Sequence, residues 1–124
     1  MSAFVKDTLV DSDEYVVLSA TAPSAVSRES ILDVSGLSGG SATSIVYIEE
    51  IQWSSAGLLT IDYGATDPQK VLELTGEGQM GGPGLSYIAR PANTGAGSFT
   101  GDIFATSAGS ATVIIKFRKI SGFS

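Results

Sequence analysis

The chain has no cysteine and no histidine in 124 residues. The first absence excludes a disulfide framework and a thiol nucleophile. The second removes the usual proton shuttle and the commonest nitrogen ligand for metals. Any acid–base chemistry would fall to carboxylates, lysine or tyrosine. Charge is scarce too: 16% of residues are charged, seven basic against thirteen acidic, for a net charge of −6. Lys6, Arg28, Lys70 and Arg90 are scattered, and only Lys116, Arg118 and Lys119 cluster. Phosphate binding needs a denser basic surface, so neither nucleic acid nor an anionic membrane is an expected partner. Long apolar runs are also missing. Val113–Ile115 falls far short of the ~20 residues that cross a bilayer, and Met1–Thr8 has neither the basic start nor the apolar stretch of a signal peptide. The expectation is a soluble chain made in the cytosol.

What is present is a series of short β-branched runs separated by glycine and serine, in a chain of ordinary single-domain length. Glu14–Thr21 reads as a strand ending before Pro23, and Ser30–Leu37 as a second strand. Thr43–Ser54 is the longest candidate, with Ile45, Tyr47, Glu49, Ile51 and Trp53 on one parity. Ser54–Gly57 reads as a hairpin connection into Leu59–Tyr63. Lys70–Thr75 follows with Leu72 and Leu74 inward, and Gly76–Gly84 reads as a glycine-rich loop. Leu85–Ala89, Phe99–Thr106 and Thr112–Ile120 complete the series, with Gly101 marking a bulge or a close backbone approach. Seven or eight short strands without an amphipathic helix predict an all-β, single-domain antiparallel β-sandwich, jelly-roll-like in outline. Residues 1–12 form a possible N-terminal arm, and 13–124 the domain.

No catalytic constellation emerges. Glu49 and Glu50, adjacent on a strand, should point to opposite faces, while Asp62 and Glu73 could share an outer face; a glycosidase pair would need more than solubilising charge. Asp62, Asp67 and Asp102 could offer oxygen to calcium, but their spacing matches no loop template. Gly76–Gly84 is followed by Leu85-Ser86-Tyr87, without the lysine that a phosphate-binding loop needs after its last glycine. Neither cofactor nor metal is expected. Lys116 and Arg118 share a strand face, with Lys119 on the other, and read as a solvated strand end or a contact for an acidic partner. Tyr47 and Trp53 could form a sugar platform, a core element or a subunit contact. The candidate interface residues are Tyr47, Trp53, Gln79, Met80, Leu85, Lys116 and Arg118.

Two stretches carry a family pattern: Ile48–Gln79 and Ser98–Lys119. An I-x-W (Ile51-Gln52-Trp53) leads to an L-x-L-x-G (Leu72-Glu73-Leu74-Thr75-Gly76), then a T-G-D-I (Thr100–Ile103) and a strand closing in a basic pair. Over nearly half its length the chain resembles small proteins of tailed bacteriophages from marine and aquatic bacteria. That resemblance implies a virion component, most consistently a head-decoration (cement) protein on the capsid surface. It further implies contacts with the major capsid protein and with its own copies, a trimer in the usual form, and no enzymatic activity. A tail, neck or fibre component and a carbohydrate-binding module are the competing expectations.

Overall fold

The computed structural model describes residues 3–65, 68–81, 87–91, 94–95 and 99–123. Seven strands follow one another: β1 Val5–Asp11, β2 Tyr15–Ala22, β3 Val26–Leu32, β4 Ile45–Tyr63, β5 Gln69–Gly81, β6 Ile103–Ser107 and β7 Ala111–Ser121. They make one antiparallel sheet in the order β1-β2-β7-β4-β6-β3, with β5 on the other side of β4. The all-β antiparallel expectation holds. No α-helix occurs among the described residues, and one 3-10 turn, Val34–Gly36, follows β3.

A single strand builds both layers. The first half of β4 pairs with β7, from Ile45↔Ser121 to Ser55↔Ala111, and the second half pairs with β6, from Leu59↔Ser107 to Tyr63↔Ile103. The expected hairpin at Ser54–Gly57 is therefore a corner inside one 19-residue strand. Gly57 makes it possible: a β-carbon there would stand 3.0 Å from the Ala108 Cβ and 3.4 Å from the Gly109 nitrogen. Backbone bonds hold the corner on both sides, Ala56 donating to Ser110 and Ala108 to Leu58, each at 2.9 Å. Ser55 adds a hydroxyl donation to the Gly57 carbonyl. Here glycine removes the side chains that would block close strand approach, and no reversal follows.

The curled sheet folds its two halves onto one core. Val16, Leu18, Val46, Ile48, Ile51, Val113, Ile115 and Phe117 come from the β2–β7–β4 half; Ile31, Leu59, Ile61, Tyr63 and Ile103 come from the other. Within β7 the inward parity is that expected from alternation. Tyr63 stitches the halves together, its buried hydroxyl donating to the Val46 carbonyl at 2.5 Å. Tyrosine is tolerated at full burial because its polar tip finds that partner.

Four further expectations change. β5 continues through Gly81, so 76–81 belong to a strand that pairs with Glu50–Ser55 of β4. The second strand runs over Val26–Leu32, and the 34–36 part of the expected element is the 3-10 turn capped by the Asp33 carboxylate. β6 begins at Ile103, later than expected, because Gly101 takes φ +77° and its α-carbon packs against the Ser44 carbonyl. Of the expected strand Leu85–Ala89, the described part contributes the bridge Ile48↔Ala89, and Leu85 and Ser86 lie outside the described residues. As for residues 1–12, the structure places Val5–Asp11 as a strand along β2.

Candidate interaction face

β5, β4, β7, β2 and β1 form a five-stranded layer whose outer face the strand registers define. One row reads Gln79, Gln52, Ile114, Ser19 and Asp7 across five strands, and the next reads Glu77, Ser54, Thr112, Thr21 and Val5. A shallow groove of about 590 Å³ crosses this face, lined by Gln52, Ser54, Glu77, Gln79, Thr112 and Ile114 together with Trp53 and Gly78. Amides, hydroxyls and one carboxylate supply its polar groups.

A bulge decides which candidates share the face. Between Ile48↔Phe117 and Glu50↔Lys116, β4 carries one extra residue, Glu49. The inward parity therefore switches from Val46 and Ile48 to Ile51. Tyr47 pairs with Arg118 on the outer face, whereas Trp53 pairs with Val113, a core residue, on the inner side. The two aromatics do not form a common platform. Tyr47 meets Tyr87 edge-on at 5.1 Å. Trp53 lies over Gly78 and donates through Nε1 to the Thr75 carbonyl at 3.1 Å. Gln79, Lys116 and Arg118 join Tyr47 on the outer face; Met80 pairs with Ile51 and packs on the core edge beside Trp53. Leu85 lies outside the described residues.

The same bulge overturns the expected divergence of Glu49 and Glu50, since Lys116 reaches both carboxylates, at 3.4 and 3.8 Å. Arg118 donates Nε to Glu49 at 2.8 Å and Nη2 at 3.3 Å, and reaches Glu14 at 3.4 Å. The Tyr15 ring lies 4.8 Å from the Lys116 ammonium. Hydrogen bonding from Arg118 holds the Glu49 carboxyl below its ordinary pKa against the opposing pull of burial, with Lys116 adding to the effect. The Arg118 guanidinium is raised correspondingly, first by its bond to Glu49. The basic trio is thus no solvated strand end. Lys119 is the plainest case: with its side chain 2% exposed, it bonds Asp11 at 2.7 Å and the Ser38 carbonyl at 2.9 Å. Burial raises the Asp11 carboxyl, but the Lys119 bond, the Ser38 N–H and the Lys119 charge together leave it below its ordinary pKa.

Asp62 and Glu73 do face the same way, but each has its own cation. Arg28 clamps Asp62 at 2.6 and 2.9 Å while stacking 3.9 Å over Phe104, and Lys70 pairs with Glu73. Asp102 accepts the Val34 N–H at 3.0 Å and fastens the 3-10 turn to the start of β6. Burial raises its carboxyl, with a further contribution from the Asp33 charge. Among the described residues no group of three potential metal ligands forms, and Asp67 lies outside them.

Residues 1–12, expected as an arm that could dock on a partner, were not expected to hold a strand, yet Val5–Asp11 forms the outermost strand β1. All seven of its residues are exposed, including Val5 (68%), Leu9 (51%) and Val10 (38%). A V-x(3)-L-V pattern mixed with Lys6, Asp7 and Asp11 gives a weak strand signal. Compared with known proteins, the chain matches no family model, no curated protein and no solved structure.

Proposed function

We propose that this chain is a structural virion protein that decorates the outside of a phage head and stabilises the capsid lattice. Its partners in this reading are the major capsid protein and its own copies. The observation that carries the reading is β1, an outermost strand on a well-packed sheet that presents Val5, Leu9 and Val10 to solvent. Exposed apolar side chains gathered on one element and bordered by charge are a frequent mark of protein contact. Ion pairs occupy Lys6, Arg28, Lys70, Lys116, Arg118 and Lys119 with the chain's own acids, all but Lys70–Glu73 between different strands or turns, which leaves the remaining surface acidic and suited to an apolar or basic neighbour. The motif residues behind the phage resemblance serve the fold: Trp53 bonds Thr75, and Gly101 and Asp102 anchor the start of β6. The job itself needs a rigid body and two adhesive surfaces, with many weak contacts adding through avidity on a repeating lattice.

The test is made on particles. Heads stripped of the protein should lose resistance to heat or low salt, and adding the chain back should restore it. Leu9→Asp, which sets a charge on the exposed strip, should fold but restore poorly. Particles that keep full stability without the protein would reject this reading.

A further inference from the structure

The far edge of β5 has no strand partner among the described residues, because β5 pairs with β4 alone. Its second half is also lightly charged. Glu77 is the one charged residue in Glu77–Gly81, whereas β1 carries Lys6, Asp7 and Asp11, and β3 carries Arg28 and Glu29. An open edge without guarding charges is a template for another strand.

The side chains along that edge complement themselves. The Trp53 indole lies so close over Gly78 that a β-carbon there would stand 2.6 Å from the ring. Its bond to Thr75 keeps the ring along β5. Met80 projects to the same side, two residues on, and both it and Trp53 are half-buried. Going outward from Gln79 on that side, one neighbour is large (Met80) and the other has no side chain (Gly78).

We propose that β5 pairs antiparallel with β5 of a second copy about a two-fold axis at Gln79, joining two sheets into one. In that register Met80 of each copy lies opposite Gly78 of the other and packs its thioether against the uncovered part of the indole. Glu77 falls opposite Gly81, so no like charges meet, whereas a register centred on Glu77 would set the two carboxylates against each other. Gln79 meets Gln79, extending the Gln52–Gln79 amide row across the axis. A strand pairing with its own copy is isologous and closes as a dimer, in place of the trimer that the phage resemblance implies. The inference rests on the proposed function only in that both invoke contact between copies.

The chain's single tryptophan and lack of cysteine make the test direct. Sedimentation of the purified protein should give twice the 12.7 kDa chain mass, with tryptophan emission shifting to the blue as dimer forms. Met80→Glu should weaken association at least tenfold and abolish the shift. Gln79→Cys places two thiols face to face and should cross-link under mild oxidation, while Glu77→Cys, facing glycine, should not. The cysteine pair decides the matter even if Met80→Glu fails to fold. A monomer or trimer mass, or equal cross-linking at 77 and 79, overturns the proposal. A dimer that never joins particles defeats the decoration reading alone; a monomer that does join them defeats only this one.

Discussion

Replacing Tyr63 by phenylalanine removes one oxygen and leaves the ring, its burial and its stacking on Phe99 unchanged. What is lost is the hydroxyl bond to the Val46 carbonyl, the contact that runs from one end of β4 to the other across the core. A buried acceptor deprived of its donor costs roughly 1–3 kcal/mol. Taking about 2.1 cal/mol/K of unfolding entropy per residue over this chain length, each kcal/mol corresponds to about 4 °C in Tm. Tyr63→Phe should therefore melt about 4–12 °C below the parent by circular dichroism. Tyr47→Phe, at a half-exposed ring, should shift by less than about 2 °C. Alkaline pH supplies a second readout. Burial pushes the Tyr63 phenol well above its ordinary pKa of 10.0, with the Tyr47 charge adding to the effect. A raised folded pKa means that the native state keeps a proton the unfolded chain gives up. Stability is thus complete below about pH 10 and falls above it, by about 1.4 kcal/mol per pH unit. The phenylalanine variant should lose that part of the alkaline decline. Equal melting temperatures and equal alkaline slopes would refute the inter-layer role assigned to the hydroxyl.

On the acid side, Glu49 is held below its ordinary pKa of 4.5, so its contribution is present above that pH and is lost as pH falls through the folded value. Glu49→Gln should cost roughly 1–3 kcal/mol at pH 7 and flatten the decline below about pH 4.5, as measured by urea titration across pH. Gly101→Ala forces a side chain into the left-handed region and against the Ser44 carbonyl. It should cost at least about 2 kcal/mol by the same titration, whereas Gly36→Ala, with open space around it, should change stability by less than about 0.5 kcal/mol.

Alternation alone located β2, β7 and the two arms of β4, because half-buried strands write their inner face every second residue. Two kinds of feature defeated it. One is the insertion: Glu49 shifts the phase of β4 by one, so a pattern read straight through put Tyr47 and Trp53 together when they lie on opposite faces. The other is glycine, which signals a turn in sequence but here serves close strand approach at Gly57 and a ring seat at Gly78. The ion pairs were illegible for a different reason. Asp11 with Lys119 and Glu49 with Arg118 join residues about a hundred and about seventy positions apart, and nothing local announces such partners.

Since β4 belongs to both halves of the core, one continuous backbone ties them together. Sliding one half past the other means tearing that continuous backbone out of one of its ladders. Partial loosening therefore has few places to begin. A body joined in this way carries load from one surface to the other without yielding in between, and it should either hold its shape or lose it in a single event.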